Sequence, residues 1–238
     1  IYLNRNVIYE LTKRDFRSKY ITNLLGMSWA IIEPLAMMLV LYVVFTFLRS
    51  SGPISNVPFA LYLLTGLICY DFFNKTINSA SKSIKDFSFL IRKVKFRIAI
   101  LPMVKISSEV LIHFIILAIV MIILLFGKIP VTLAWIQVFY YLFASIVLLI
   151  GISWLTASLS LFVPDIKYII TIVMRVLFFF TPIFWSADNV TGTFKIVLEL
   201  NPLYYLVTGY RDSLLFNIPF WEKPEQTLIY WGVTFVSM

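Results

Sequence analysis

The chain alternates between long apolar runs and short breaks marked by charge, Gly or Pro. From Ser28 to Leu48 the one formal charge is Glu33. At helical rise that run spans roughly 30 Å, the thickness of bilayer hydrocarbon. The same reading predicts membrane helices over 58–80, 102–126, 135–162 and 168–185, and a sixth that begins near Thr227 and occupies 227–238. Turn signals separate them at Arg49-Ser-Ser-Gly-Pro53, Gly127-Lys-Ile-Pro130 and Pro164-Asp165.

Three stretches do not fit the spanning pattern. Residues 1–24 carry two stripes: Leu3, Val7 and Leu11 on one side, Tyr2, Tyr9, Phe16 and Tyr20 on another, with charges between. That pattern predicts a helix lying in the headgroup region, ended by the Gly26 break. Residues 83–97 repeat Ile84, Phe87, Leu90 and Ile91 at helical spacing within a basic segment, which predicts a short amphipathic helix. Residues 190–216 hold two apolar pieces too short to span, divided by Asn201-Pro202. They predict a re-entrant helical hairpin whose irregular backbone is buried in protein or lines a cavity. The expected fold class is therefore an all-α membrane protein. It is a single domain, 1–238, of six transmembrane helices with an N-terminal interfacial helix.

Composition agrees with that class and charge orients it. The chain is 61% hydrophobic and 13% charged, with a mean hydropathy of +0.91, where a soluble domain carries about a quarter charged residues. The net charge of +8 reads as basic loops beside anionic lipid, not as a nucleic-acid footprint. Arg5, Lys13, Arg14, Arg17 and Lys19 precede the first span. Lys75, Lys82, Lys85, Arg92, Lys93, Lys95 and Arg97 follow the second. The short opposite loops hold Arg49 and Lys128. The positive-inside rule then puts both termini in the cytoplasm of a multi-pass protein.

The same inventory narrows the chemistry. A single cysteine, Cys69, excludes an intrachain disulfide, and a single histidine, His113, excludes a His-rich metal site. No Gly-x-x-x-x-Gly-Lys-Ser/Thr loop occurs. The chain is thus expected to be no enzyme, to bind no metal or cofactor of its own, and to lack a nucleotide site. Asp188, Glu199, Asp212, Glu222 and Glu225 lie scattered without an Asp-x-Asp pair, which argues against a membrane glycosyltransferase. Lys105, Glu109 and His113 share one helical face. They read as a polar stripe packed on a neighbouring helix, with a proton relay as the sharper alternative. Asn189-Val-Thr191 matches a glycosylation acceptor and reads as an accidental match. An opening at Ile1 and a stop inside an apolar run at Met238 are expected of part of a longer protein, and no cleavable signal peptide is visible.

Read in order, the chain resembles the permease subunits of ABC-2 type exporters of cell-surface polysaccharides: O-antigen, capsule and teichoic acid. The resemblance covers essentially the whole length. It rests on Arg14-Asp-Phe-Arg-Ser-Lys-Tyr20 leading to Leu25-Gly-Met-Ser-Trp-Ala30. Further along it rests on Leu64-Thr-Gly-Leu67, Lys93-Val-Lys-Phe96, Arg175-Val-Leu-Phe-Phe-Phe-Thr-Pro-Ile-Phe-Trp185 and Asn201-Pro-Leu-Tyr-Tyr205. The chain departs from the family at Glu33, Tyr70 and Arg97, where Asn, Trp and Pro are common.

The resemblance implies a second copy of the chain and two separate ATPase subunits that bind ATP and Mg²⁺. It also implies a lipid-linked glycan of the undecaprenyl diphosphate type as cargo, and a bacterial cytoplasmic (inner) membrane location. An ABC-2 permease for a drug or small lipid is the alternative. A guanidinium at mid-bilayer costs about 2.5–3.5 kcal/mol on insertion scales. Arg175 is therefore expected to meet either the diphosphate or acidic sugars of a substrate, or a carboxylate of Glu33 or Asp71. Tyr42, Phe45, Phe179 and Phe184 are the rings expected to line a sugar path, with membrane packing as the alternative. Arg14, Arg17, Lys19 and Trp29 are placed where a lipid-linked substrate enters. Ser83, Phe87, Leu90, Arg92 and Lys93 are expected to couple the permease to its ATPase.

Overall fold

The computed structural model describes residues 5–20, 26–48, 57–91, 97–187 and 190–238. Among them the regular structure is helical throughout. Helix α1 (Arg5–Tyr20) is followed by a short turn, Gly26–Ser28, that opens α2 (Trp29–Leu48). Gly26 sits at φ 49°, a left-handed conformation that glycine adopts without Cβ strain. Next come α3 (Phe59–Ser81), two single turns α4 (Ser83–Asp86) and α5 (Ser88–Ile91), α6 (Ile100–Phe126) and α7 (Gln137–Phe162). The second half holds α8 (Ile166–Phe180), α9 (Thr193–Glu199), α10 (Pro202–Arg211), a π turn over Asp212–Phe216 and α11 (Pro224–Ser237).

Two segments, Ile100–Phe126 and Leu133–Phe162, are 27 and 30 residues long, each with an 18-residue window of mean hydropathy 3.0 and 2.2 respectively, long and apolar enough to cross a membrane. Helix α3 is central. It packs on α2, α6, α7, α8 and α10, and most of its surface is buried, including Leu63, Ile68, Cys69 and the hydroxyl of Thr65. The helix ends follow their sequence signals. Asn201 caps α10 by accepting a hydrogen bond from the Leu203 amide at 3.0 Å, with Pro202 at the first helical position where its missing N–H costs nothing.

The structure differs from the sequence expectation in two places. Helix α8 stops at Phe180, not at 185, because Thr181 precedes Pro182 and takes an extended conformation, φ −81° and ψ 134°. The predicted single helix over 83–97 is instead two turns, α4 and α5, broken at Phe87, and residues 92–96 lie outside the described residues. Over 190–216 the chain forms two short helices, α9 and α10, divided at Asn201-Pro202. The second is buried against α3 and α7 through Leu203, Tyr205, Leu206, Val207 and Tyr210.

Two ends of the bundle can be told apart. One gathers α1, α4, the start of α6 and the end of α7: Trp154 Nε1 donates to the Ala99 carbonyl at 2.9 Å, and Leu11, Ile84, Phe87, Leu101, Val104 and Ala157 form a small separate core. The other gathers the end of α6, the start of α7, the π turn and the start of α11. There Gln137 holds the Ile218 carbonyl and the Phe220 amide, both at 2.9 Å.

Candidate functional site: a lateral cleft at Arg175

At the α1 end, the lysines and carboxylates satisfy one another. Lys105 lies 2.7 Å from Asp15 Oδ1 and 3.0 Å from Asp86 Oδ2. Lys19 reaches Glu109 at 2.7 Å and Asp15 Oδ2 at 3.1 Å. The cluster thus ties α1, α4 and α6 together. Burial pushes the Asp15 carboxyl upward, but Lys19 and Lys105 pull it down further, so it titrates below the usual carboxylate value. His113 is separate: its Nε2 is 2.9 Å from the Tyr210 hydroxyl and its ring lies 4.4 Å from that of Phe72. The stripe Lys105–Glu109–His113 is therefore a packed one, each member meeting a different partner.

A second ion group sits on α3. Lys75 binds Asp71 at 3.0 Å and Glu33 at 3.4 Å. Both carboxylates weighed as partners for Arg175 are thereby engaged by Lys75. Arg175 itself is exposed on α8 and makes no ion pair among the described residues. It lines a cleft of about 320 Å³ between α2, α3 and α8, together with Pro34, Met38, Tyr70, Asp71 and Phe179.

Pro34 lacks an N–H for the α2 ladder, and Tyr70 is fixed by donating its hydroxyl to the Met174 carbonyl at 2.7 Å. Phe178 packs edge-on to Tyr70 at 5.0 Å, and Phe179 and Phe184 meet each other at 5.8 Å. Phe179 is 64% exposed and Phe184 half-buried. Thus Arg175, Phe179 and Phe184, picked out separately in the sequence, stand in one region. Tyr70, a mere departure from the family pattern in the sequence, joins them. Positions 42 and 45 continue the face of α2 that carries Met38 by helical spacing; the side chains of Tyr42 and Phe45 lie outside the described residues.

The other predicted groups separate. Arg14 and Arg17 are exposed, and the Arg14 guanidinium lies 5.1 Å over the Phe89 ring. Lys19 belongs to the ion cluster, and Trp29 opens α2 about half exposed. Ser83 and Phe87 face inward and are buried, Leu90 is half-buried against the same small core, and the outward face of this segment is Lys82, Lys85, Ser88 and Phe89. Arg92, Lys93 and Asn189 lie outside the described residues.

Sequence reasoning missed Arg211. It is buried beneath the opposite end, donates to the carbonyls of Pro182 and Ile183, and reaches the Tyr62 carbonyl at 3.2 Å. Its guanidinium stacks 3.6 Å over the Tyr62 ring, and only the missing side chain of Gly66 leaves it room. The available signal was a cation inside the apolar piece 203–216.

Two segments of membrane-crossing length, beside a lateral cleft lined by a cation and aromatic rings, describe a membrane protein built around a path. The comparisons give the particular kind: residues 6–215 match the ABC-2 type transporter family, and the chain belongs to it. Among curated proteins it is similar to the O-antigen export system permease protein RfbA of Klebsiella pneumoniae, 24% identical over 88% of this chain and 80% of the relative. The protein of that name from Myxococcus xanthus is 25% identical over 89% and 81%. The polysialic acid transport protein KpsM of Escherichia coli is 24% identical over 85% and 78%.

Proposed function

We propose that this chain is the permease subunit of an ATP-driven exporter of a lipid-linked cell-surface polysaccharide. Helices α2, α3, α6, α7, α8 and α11 form six spans, with the α1 end in the cytoplasm of an inner-membrane protein. The charge tally supports that orientation, and relatives named for O-antigen and polysialic acid transport support the cargo. Two copies frame the path, and two separate ATPase subunits supply ATP and Mg²⁺. Those subunits dock on the outward face of α4 and α5, with Lys85 and Phe89 in the contact, while Ser83, Phe87 and Leu90 anchor the segment from within.

The observation that carries this reading is Arg175, without an ion pair among the described residues, beside Phe179 in an open cleft. A cation held in an apolar span needs an anion or water. A diphosphate or acidic sugar supplies the anion, and the adjoining rings offer flat faces to sugar C–H surfaces. The test is surface glycan measured in cells whose own permease is replaced by Arg175→Gln or Arg175→Lys. Loss of a charge-assisted contact should lower export about tenfold or more in the Gln variant, with the Lys variant partly restored and the amount of permease unchanged. Wild-type export from Arg175→Gln would remove the cleft from the path.

A further inference from the structure

A second opening lies across α3 from the Arg175 cleft, in the angle between α1 and the paired helices α6 and α7. Its volume is about 930 Å³. The floor is apolar: Ile8 and Phe16 from α1, Ile106, Val110 and Leu111 from α6, and Ile146 from α7. Tyr9, Thr12, Lys13 and Ser107 stand around it. No residue of α2 or α8 lines it, so it is not continuous with the proposed path.

Three observations say what fits there. Thr12 lines the groove and is 8% exposed, and its Oγ1, buried beneath that lining, has no hydrogen-bond partner among the described residues. A buried hydroxyl left so is costly unless a ligand or water satisfies it. Lys13 is exposed and makes no ion pair among the described residues, whereas Lys19 on the same helix is engaged by Asp15 and Glu109. The groove also opens onto an exposed apolar stripe of α6, Leu111, Phe114 and Ile115, which a hydrocarbon chain can follow.

We infer that this groove holds one anionic glycerophospholipid as a resident lipid. Its acyl chains lie on Val110, Leu111 and Ile146, its phosphate meets Lys13, and an ester or phosphate oxygen accepts from Thr12. Tyr9, 63% exposed, lies at headgroup level, where an amphipathic ring is favoured. An apolar floor with a single cation at its rim matches a lipid of one negative charge better than a peptide, whose backbone would find few partners on it. The inference does not depend on what the permease carries.

The test is native mass spectrometry of the purified permease in detergent, titrated with 1-palmitoyl-2-oleoyl-phosphatidylglycerol and with the matching phosphatidylcholine. Retention of one phosphatidylglycerol per chain, in preference to phosphatidylcholine, is expected. Lys13→Gln should weaken phosphatidylglycerol retention about fivefold and leave phosphatidylcholine unchanged. Thr12→Val should weaken both. Arg14→Gln removes the same charge from the neighbouring position, outside the groove, and should change neither. Equal losses from Lys13→Gln and Arg14→Gln would overturn the site in favour of a diffuse basic surface. Two other results would overturn it too: disulfide-linked permease pairs from Tyr9→Cys, which put a second copy over the groove, or a co-purifying polyprenyl-linked glycan lost with Lys13→Gln.

Discussion

Arg211 shows how a charge can be structural inside an apolar protein. Its N–H groups end on the carbonyls of Tyr62, Pro182 and Ile183, which join the start of α3 to the segment just after α8. Charge-assisted hydrogen bonds contribute about 1.5–3 kcal/mol each. Arg211→Met should therefore lower the stability of the purified permease by about 3 kcal/mol, read as a fall in the thermal midpoint in detergent. Gly66→Ala pushes a methyl into the guanidinium and should cost about 1–3 kcal/mol by overpacking. Together the two changes should cost less than their sum, because the methyl clashes only with an arginine that is present. Strict additivity would mean that Gly66 matters for another reason. None of this was legible in the sequence, where Gly66 is a point in a family motif and Arg211 lies 145 positions away. Arg175 was legible, since a cation in a span demands an account of itself. That Lys75 engages both of its prospective partners was not.

At the scale of elements, α1 is a helix anchored to the bundle by buried ion pairs. Asp15 and Lys19 bind Lys105 and Glu109, ninety positions on in each case, and Lys105 also holds Asp86 of α4. Lys19 looked like part of a basic surface because its carboxylate partners are remote in sequence. Lys105→Met leaves the buried Asp15 with one cation fewer and should destabilise by about 3–5 kcal/mol. It should also loosen α1, read as faster amide exchange over residues 8–19.

The pH dependence has a definite sign. The folded pKa of Asp15 is below its unfolded value, so its contribution is complete above the ordinary carboxylate range and is lost as pH falls through the folded value. The thermal midpoint should hold steady between about pH 5 and 8 and fall below about pH 4, with Asp15→Asn showing a shallower fall. In α4 and α5 the amphipathic pattern was legible, whereas the burial of Ser83 and Phe87 within this chain was not. The residues chosen for coupling, Ser83 and Phe87, are the ones the fold uses to hold the segment in place. Lys85→Glu combined with Phe89→Ala should therefore reduce stimulation of the partner ATPase, whereas Ser83→Ala should not.

At the scale of the whole molecule, the apolar runs and their breaks carried most of the architecture. Their lengths and turn residues place α2, α3, α6 and α7 to within a few positions. What they could not give was which helices share a cleft, since that depends on packing between segments distant along the chain. The exception in length is α8, where the hydrophobic run continues to Trp185 but the helix ends before Pro182. Fifteen residues of helix reach about 22 Å, against hydrocarbon of about 30 Å. In the proposed six-span topology, where α8 crosses the bilayer, the membrane beside the Arg175 cleft must then thin, or be met by α9 and α10, and either response brings polar headgroups nearer to the arginine. The permease should accordingly be a sensor of membrane thickness. Reconstituted with its ATPase in bilayers of lengthening acyl chains, it should hydrolyse ATP more slowly in the thicker ones, while a permease with α8 extended by Pro182→Leu should tolerate them better.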